Sequence, residues 1–284
     1  MNASNQSQAE RVAEIAANLV EADRGAGASL GEFVFKRDDG GRYIGDFHHA
    51  RLSSIFQPIL SADGGRVLGH TARVRCDTAK GPGVSPWGVF SAIANDAALV
   101  RLDRLCRALH LLNYFGRAQS EWLLWLRVET RLLTSVKQEH GKIFGRVIEQ
   151  YFDIPTSRVV IELPVEAVQP ETLTVGLANY RANGYRTAIS HHPRLAADVF
   201  KIADFVRIGA IQNRSILAQS IGRAHAGGAA VVVKKVESEM LRAAALGAGA
   251  DGLQGFLIGA PAFELTDRAG GVHLERTWNV PTAA

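Results

Sequence analysis

Cysteine is almost missing from this chain. Among 284 residues only Cys76 and Cys106 carry thiols, and neither stands in a metal-type spacing, which excludes a structural zinc module and a disulfide-dense scaffold. Two lone thiols fit a reducing compartment, although two could in principle pair. Long apolar runs are missing too. No stretch reaches the ~18 residues of a membrane span, and Met1-Asn2-Ala3-Ser4-Asn5-Gln6-Ser7 is polar with no apolar segment behind it, unlike a secretory leader. A cytoplasmic protein without a membrane anchor is therefore expected. Charge of one sign is scarce: 32 Lys+Arg stand against 28 Asp+Glu, a formal +4 with a pI of about 9.2. That excess is too mild for the dense basic stripe of a nucleic-acid binder, and no nucleic-acid partner is expected.

What is present is apolar content of 47% in a chain of 30.6 kDa with mean hydropathy near zero. Such a chain can bury one substantial core, and a barrel of alternating strands and helices would use most of it. The pattern begins with two extended runs, Ile55 to Leu60 and Arg66 to Arg75, joined by Asp63-Gly64-Gly65. Runs so joined pair antiparallel. Beyond them strands alternate with helices: Trp122 to Leu126, Val159 to Leu163, Thr187 to Ser190, Asp204 to Ile208, Ala230 to Val233 and Gly252 to Ile258. Continuous apolar strands separated by helical crossovers are parallel and covered on both faces. Eight strands, counting the hairpin, predict an α/β fold, a TIM-type (β/α)8 barrel with one antiparallel strand in the opening hairpin, here placed second. Periodicity alone also permits a doubly wound open sheet, but the Gly-rich phosphate turn usual in its first crossover is absent. Residues 1–50 read as an N-terminal helix and small hairpin extension, 51–265 as the barrel, and 266–284 as a tail. Phe33, Phe35, Tyr43 and Phe47 of the extension must be buried, either on a partner or, the favoured reading, across the N-terminal face of the barrel.

In such a barrel the site lies at the C-terminal ends of the parallel strands. Those ends carry Arg127, Glu162, Ser190-His191, Arg207, Lys234 and Gln254, one acid among several bases. Arg127 and Glu162 fall on neighbouring strands, so an ion pair between them is expected. His191-His192 points to no metal, because adjacent residues diverge and no third ligand is evident. Trp122 and Trp125 lie in a continuous apolar run and read as packing.

Phe56-Gln57-Pro58-Ile59, Ala72 with Arg75, Ile161-Glu162-Leu163, Asn183-Gly184-Tyr185 before Ala188-Ile189, Val236-Glu237, and Gln254-Gly255-Phe256 followed by Pro261 together resemble the EAL family. The likeness runs from about Ser54 to Pro261. Members are bacterial phosphodiesterases that hydrolyse cyclic di-GMP with two Mg²⁺ or Mn²⁺ ions. The departures fall on the metal ligands. The Glu of the Glu-Ala-Leu motif is Thr71, a strand-end Asn is Arg127, and Asp-Asp-Phe-Gly is Ser190-His191-His192-Pro193. Lys-Ile-Asp reads Arg207-Ile208-Gly209, and the first Glu of Glu-Gly-Val-Glu is Lys234. Only Glu162 and Glu237 remain. These exchanges make the mouth more positive by roughly six units, and at ~4 Å unit charges near a protein surface interact by ~4 kcal/mol. Divalent cations would be repelled.

The resemblance therefore implies a catalytically inactive EAL-like domain, with no catalytic residues, metal or other cofactor. It would act as a regulatory or protein-interaction module in bacterial cyclic di-GMP signalling, with an unknown protein partner and a homodimer as the default oligomer. Cyclic di-GMP binding is expected to be weak or absent. A second reading is a metal-independent sensor of cyclic di-GMP or another phosphate ligand, through Gln57, Arg75, Arg207, Lys234, Glu237 and Gln254. A third is an active enzyme with a rebuilt site. Arg75 and Gln254 would serve equally well to hold a loop, and Lys234-Lys235 to end a strand in solvent.

Overall fold

The computed structural model describes residues 35–47, 50–78, 81–84, 90, 93, 95–135, 142, 149, 154–165, 168–192 and 195–266. The helix expected over Ala9–Arg24, the helix start at Ser85-Pro86, most of the helix expected around Val136 to Tyr151, and residues 267–284 lie outside the described residues. The opening hairpin is formed by β3 (Ala50–Ser61) and β4 (Val67–Thr78). Its turn is closed by side chains: Gly65 N donates to Asp63 Oδ1 at 3.0 Å and Arg66 N to Ser61 Oγ at 3.0 Å, with Gly64 at φ 72°.

The remaining barrel strands are β6 (Leu123–Arg127), β7 (Val159–Leu163), β8 (Arg186–Ser190), β9 (Phe205–Gly209), β10 (Ala230–Lys234) and β11 (Gly252–Leu253). Their order is β3-β11-β10-β9-β8-β7-β6-β4, and the β3–β4 pairing closes the ring at eight strands. The expected barrel is thus the observed one, with a correction to the inverted strand. It is β3, antiparallel to both β11 and β4, whereas β4 runs parallel to β6. The helical crossover from β4 to β6, which includes α1 (Asp96–Phe115), is what a parallel pair requires. The other described helices are α2 (Thr130–Ser135), α3 (Pro170–Ala182), α4 (Ala197–Ile202), α5 (Arg214–Ala226) and α6 (Glu239–Gly247). Pro170 opens α3, and Gly184 at φ 79° follows its end.

β3 and β4 each have 12 residues against five in most barrel strands, so the hairpin overhangs the C-terminal rim. The overhang recruits β2 (Tyr43–Phe47) and β1 (Phe35–Arg37) beyond β3, and β5 (Gly81–Val84) beyond β4. Tyr43 and Phe47 are buried there with Leu52, Cys76, Leu102, Leu105, Cys106 and Leu109, under α1. The expected docking on the N-terminal face is corrected: an overhanging hairpin offers unpaired edges, and edge pairing satisfies backbone groups that would otherwise stay open.

Inside the barrel the side chains stack in layers drawn from alternate strands, as such barrels do. Leu68, Val160 and Phe205 stand on β4, β7 and β9. Ile59, Trp125, Ala188 and Val232 stand on β3, β6, β8 and β10, and all seven form one buried cluster. The next layer toward the C-terminal rim is two residues on in β7 and β9, with Glu162 and Arg207. It is three on in β4, where a register shift adds a residue before Thr71, and is completed by Gln254 just after β11. That layer is buried and entirely polar.

Candidate functional site

The polar layer floors a cleft of about 400 Å³ at the C-terminal mouth. Glu162 is at its centre. Its Oε2 accepts from Arg207 Nη1 at 2.5 Å and its Oε1 from Ser190 Oγ at 2.9 Å, with Lys234 Nζ 3.8 Å away. Lys234 also donates to Ser190 Oγ at 3.1 Å. Arg207 Nη2 donates to Gln254 Oε1, and Gln254 Nε2 donates to Thr71 Oγ1 at 2.9 Å and to the Gln57 carbonyl at 3.1 Å. The Arg207 guanidinium lies 5.5 Å above the Trp125 ring. Every barrel strand thus supplies a member of one connected set.

Burial alone would push the Glu162 carboxyl up, but Arg207, then Lys234 and the Ser190 hydrogen bond, pull it down to about 2. A carboxylate so held is ionised and already bonded on both oxygens. The expected Arg127–Glu162 ion pair is therefore corrected: Glu162 pairs with Arg207. Arg127 is in register with Glu162, yet it belongs with Gln57, Ser190 and Lys234 to the ring above the floor and is exposed. Arg207 occupies the floor layer itself.

Of the residues expected to meet a ligand, Gln57, Arg207, Lys234, Glu237 and Gln254 line this one cleft. Arg75 does not. It lines a second cleft of about 330 Å³ on the overhang, beside Arg42 and Asp38, and pairs with Asp77 at 3.3 Å. Arg73 and Lys235, absent from that expected set, do line the mouth. Arg73 could have been found from strand alternation, which sets it on the face of Thr71; its Nη2 donates to Gln57 Oε1 at 3.3 Å. Lys235 has φ 64°, the one positive value outside glycine among the described residues. A left-handed backbone costs a side-chain-bearing residue roughly 1–2 kcal/mol. His191 and His192 do not line the cleft, and among the described residues no group of three or more His, Cys, Asp or Glu could hold a metal ion.

The family model for the EAL domain matches residues 44–261, most of the chain. The chain belongs to the EAL family. No curated protein matches it. Among solved structures, the EAL-domain protein YkuI of Bacillus subtilis, in complex with substrate c-di-GMP and calcium, is similar at 20% identity with a TM-score of 0.63. That match covers 77% of this chain and 58% of that one. The EAL domain of FimX from Pseudomonas aeruginosa, bound to c-di-GMP, is similar at 19% identity and TM-score 0.63, covering 77% and 94%. A standalone EAL protein from Vibrio cholerae, also c-di-GMP bound, has 16% identity and TM-score 0.61 over 74% and 92%. This chain spans a little under three fifths of YkuI. These likenesses establish the barrel of an EAL domain. Among the described residues no helix is long and apolar enough to cross a membrane.

Proposed function

We propose that this EAL domain does not hydrolyse cyclic di-GMP and instead acts by binding, as a regulatory, protein-contacting module of cyclic di-GMP signalling. One observation carries the reading: the Arg207 guanidinium occupies the floor and is paired with Glu162. Hard divalent cations need several oxygen ligands. The carboxylates lining the cleft are Glu162 and Glu237, against Arg73, Arg127, Arg207, Lys234 and Lys235. Both Glu162 oxygens already accept bonds from the protein. This donor set does not fit a pair of Mg²⁺ or Mn²⁺ ions, and no step of hydrolysis is derived through them. The test is incubation of the purified chain with cyclic di-GMP and Mg²⁺ or Mn²⁺, followed by chromatography. No linear dinucleotide is expected. Product that forms and then disappears in Glu162→Gln would overturn the proposal.

Cyclic di-GMP should also bind weakly or not at all. Arg207 and Gln254 are bonded to each other, Gln57 is held by Arg73 and by the Gly259 carbonyl, and Arg75 faces a different cleft. Calorimetry at physiological salt should give no saturable heat in the micromolar range. A micromolar dissociation constant lost in Gln254→Ala would favour the sensor reading.

A further inference from the structure

On one side of the cleft the rim is apolar and exposed. Phe256 is 65% exposed, Met240 64% and Leu257 39%. Single exposed apolar side chains are ordinary, but a group of them beside a charged cleft is the usual form of a contact surface. The backbone holds this group in place. Val236 N donates to the Gln254 carbonyl at 3.0 Å and Leu257 N to the Val236 carbonyl at 3.1 Å. Gly255 permits that approach, since a Cβ there would run into the Val236 backbone. Ser238 caps α6, its Oγ accepting from Leu241 N at 3.3 Å, which fixes Met240 in the first turn. Phe256 lines the cleft and Met240 and Leu257 do not. Leu257 follows Phe256 and is bonded to Val236, four residues before Met240, so all three stand on the segments that leave β10 and β11 at this rim.

The cleft beside it is cationic. Five basic and two acidic side chains line it, and with Arg207 and Glu162 bonded to each other the rest stand at four against one. Arg127 and Lys235 are exposed, and no ion pair engages Arg127 among the described residues. Lys235 stands on a left-handed backbone, φ 64°, where the resemblance places a glycine. A residue retained in a conformation that glycine would relax points to a use for its side chain.

We propose that this rim docks an acidic segment of a partner protein, seating an aromatic or long aliphatic side chain on Phe256 and Met240 and carboxylates on Arg127 and Lys235. Arginine's planar fork donates two parallel hydrogen bonds to a carboxylate, and lysine supplies a point charge beside it. The proposal rests on the non-hydrolytic reading above and gives that reading a partner chemistry.

The experiment is a selection of short random peptides displayed against the immobilised full chain, followed by fluorescence anisotropy on the enriched peptides. Enriched sequences should be acidic with at least one large apolar residue, and their affinity should fall with added salt, since exposed charges are screened beyond ~8 Å at physiological ionic strength. Lys235→Glu and Phe256→Ser should each weaken binding by roughly tenfold or more, as truncation of a contact at the centre of a surface does. Lys235→Gly should weaken binding without lowering the melting temperature, because it relaxes the left-handed position. Enriched peptides that are neutral or basic, no enrichment at all, or affinities that both substitutions leave unchanged would each overturn the surface. So would displacement of the peptides by micromolar cyclic di-GMP. Hydrolysis measured on the same preparation separates the two ideas. Product formed with peptide binding intact removes the non-hydrolytic reading alone, and no product with no acidic peptide bound removes the docking surface alone.

Discussion

At the scale of single residues, the floor of the mouth is decided by which arginine shares a layer with Glu162. Register places Arg127 opposite it, and two-dimensional reasoning about neighbouring strands stops there. A closed barrel adds a second rule, that side chains meeting inside come from alternate strands. Arg207, two strands away, therefore reaches Glu162, and Gln254, two strands further, reaches Arg207. Removing Arg207 leaves a buried carboxylate held only by Ser190 and the more distant Lys234, and a buried pair broken on one side loses up to about 3–5 kcal/mol. Arg207→Met combined with Glu162→Gln should lose clearly less than the two single losses added together, as a coupled pair does. Urea unfolding of the three variants measures this, and simple additivity would mean the two side chains act independently. At the mouth Arg73 and Lys235 were missed, whereas Arg127, Glu162, Arg207, Lys234 and Gln254 were legible from strand ends in the sequence. Their pairing was not, because it depends on closure and layer, which no local pattern encodes.

At the scale of elements, two buried histidines tie the hairpin to α1. His110 Nδ1 and Ser54 Oγ share a hydrogen bond of 2.8 Å, and His70 Nδ1 and Tyr114 Oη one of 3.1 Å. Burial, with Arg107 adding repulsion, lowers His110 from 6.5 to about 3. Burial lowers His70 to about 4, with a Thr266 backbone bond opposing and Arg117 assisting. Both folded values lie below the unfolded 6.5, so the unfolded chain binds more protons as the pH drops. Stability is complete above pH 6.5 and is lost as pH falls toward 4 for His70 and 3 for His110. Each histidine contributes a slope of up to about 1.4 kcal/mol per pH unit. Glu162 acts later: its folded value of about 2 is below 4.5, so its contribution is complete above pH 4.5 and falls away only as the pH drops toward 2. Denaturant melts at pH 7, 6 and 5 should therefore show declining stability, with His110→Asn flattening the decline by about half. A slope that this variant leaves unchanged would remove His110 as its source. Turn residues, the Pro170 start and the end of α3 at Asn183-Gly184 were readable because their chemistry is local.

At the scale of the whole molecule, the barrel and the extension are one sheet, with β2 hydrogen-bonded to β3 and β1 to β2. The family match begins at residue 44, so resemblance says nothing of Phe35 to Tyr43, and the sequence could say only that a small hairpin stood there with several aromatics in need of cover. The cover is α1, and the join is polar as well as apolar. Tyr43 N donates to Asn113 Oδ1 at 2.8 Å, and Asn113 Nδ2 donates to the Tyr43 carbonyl at 2.8 Å. A chain beginning after Phe47 would leave Asn113, buried in α1, without these two bonds, and an unsatisfied buried group costs about 1–3 kcal/mol. It would also uncover Leu52, Leu105 and Leu109, which pack against Tyr43 and Phe47, and would open the edge of β3 to other chains. Calorimetry should show a lower melting temperature for this truncated chain, and sedimentation should show self-association absent from the full chain. Asn113→Leu in the truncated chain should recover part of the loss, because an apolar group of similar size needs no partner there. Equal melting temperatures and equal mass for full and truncated chains would mean that the extension sits on the barrel without supporting it.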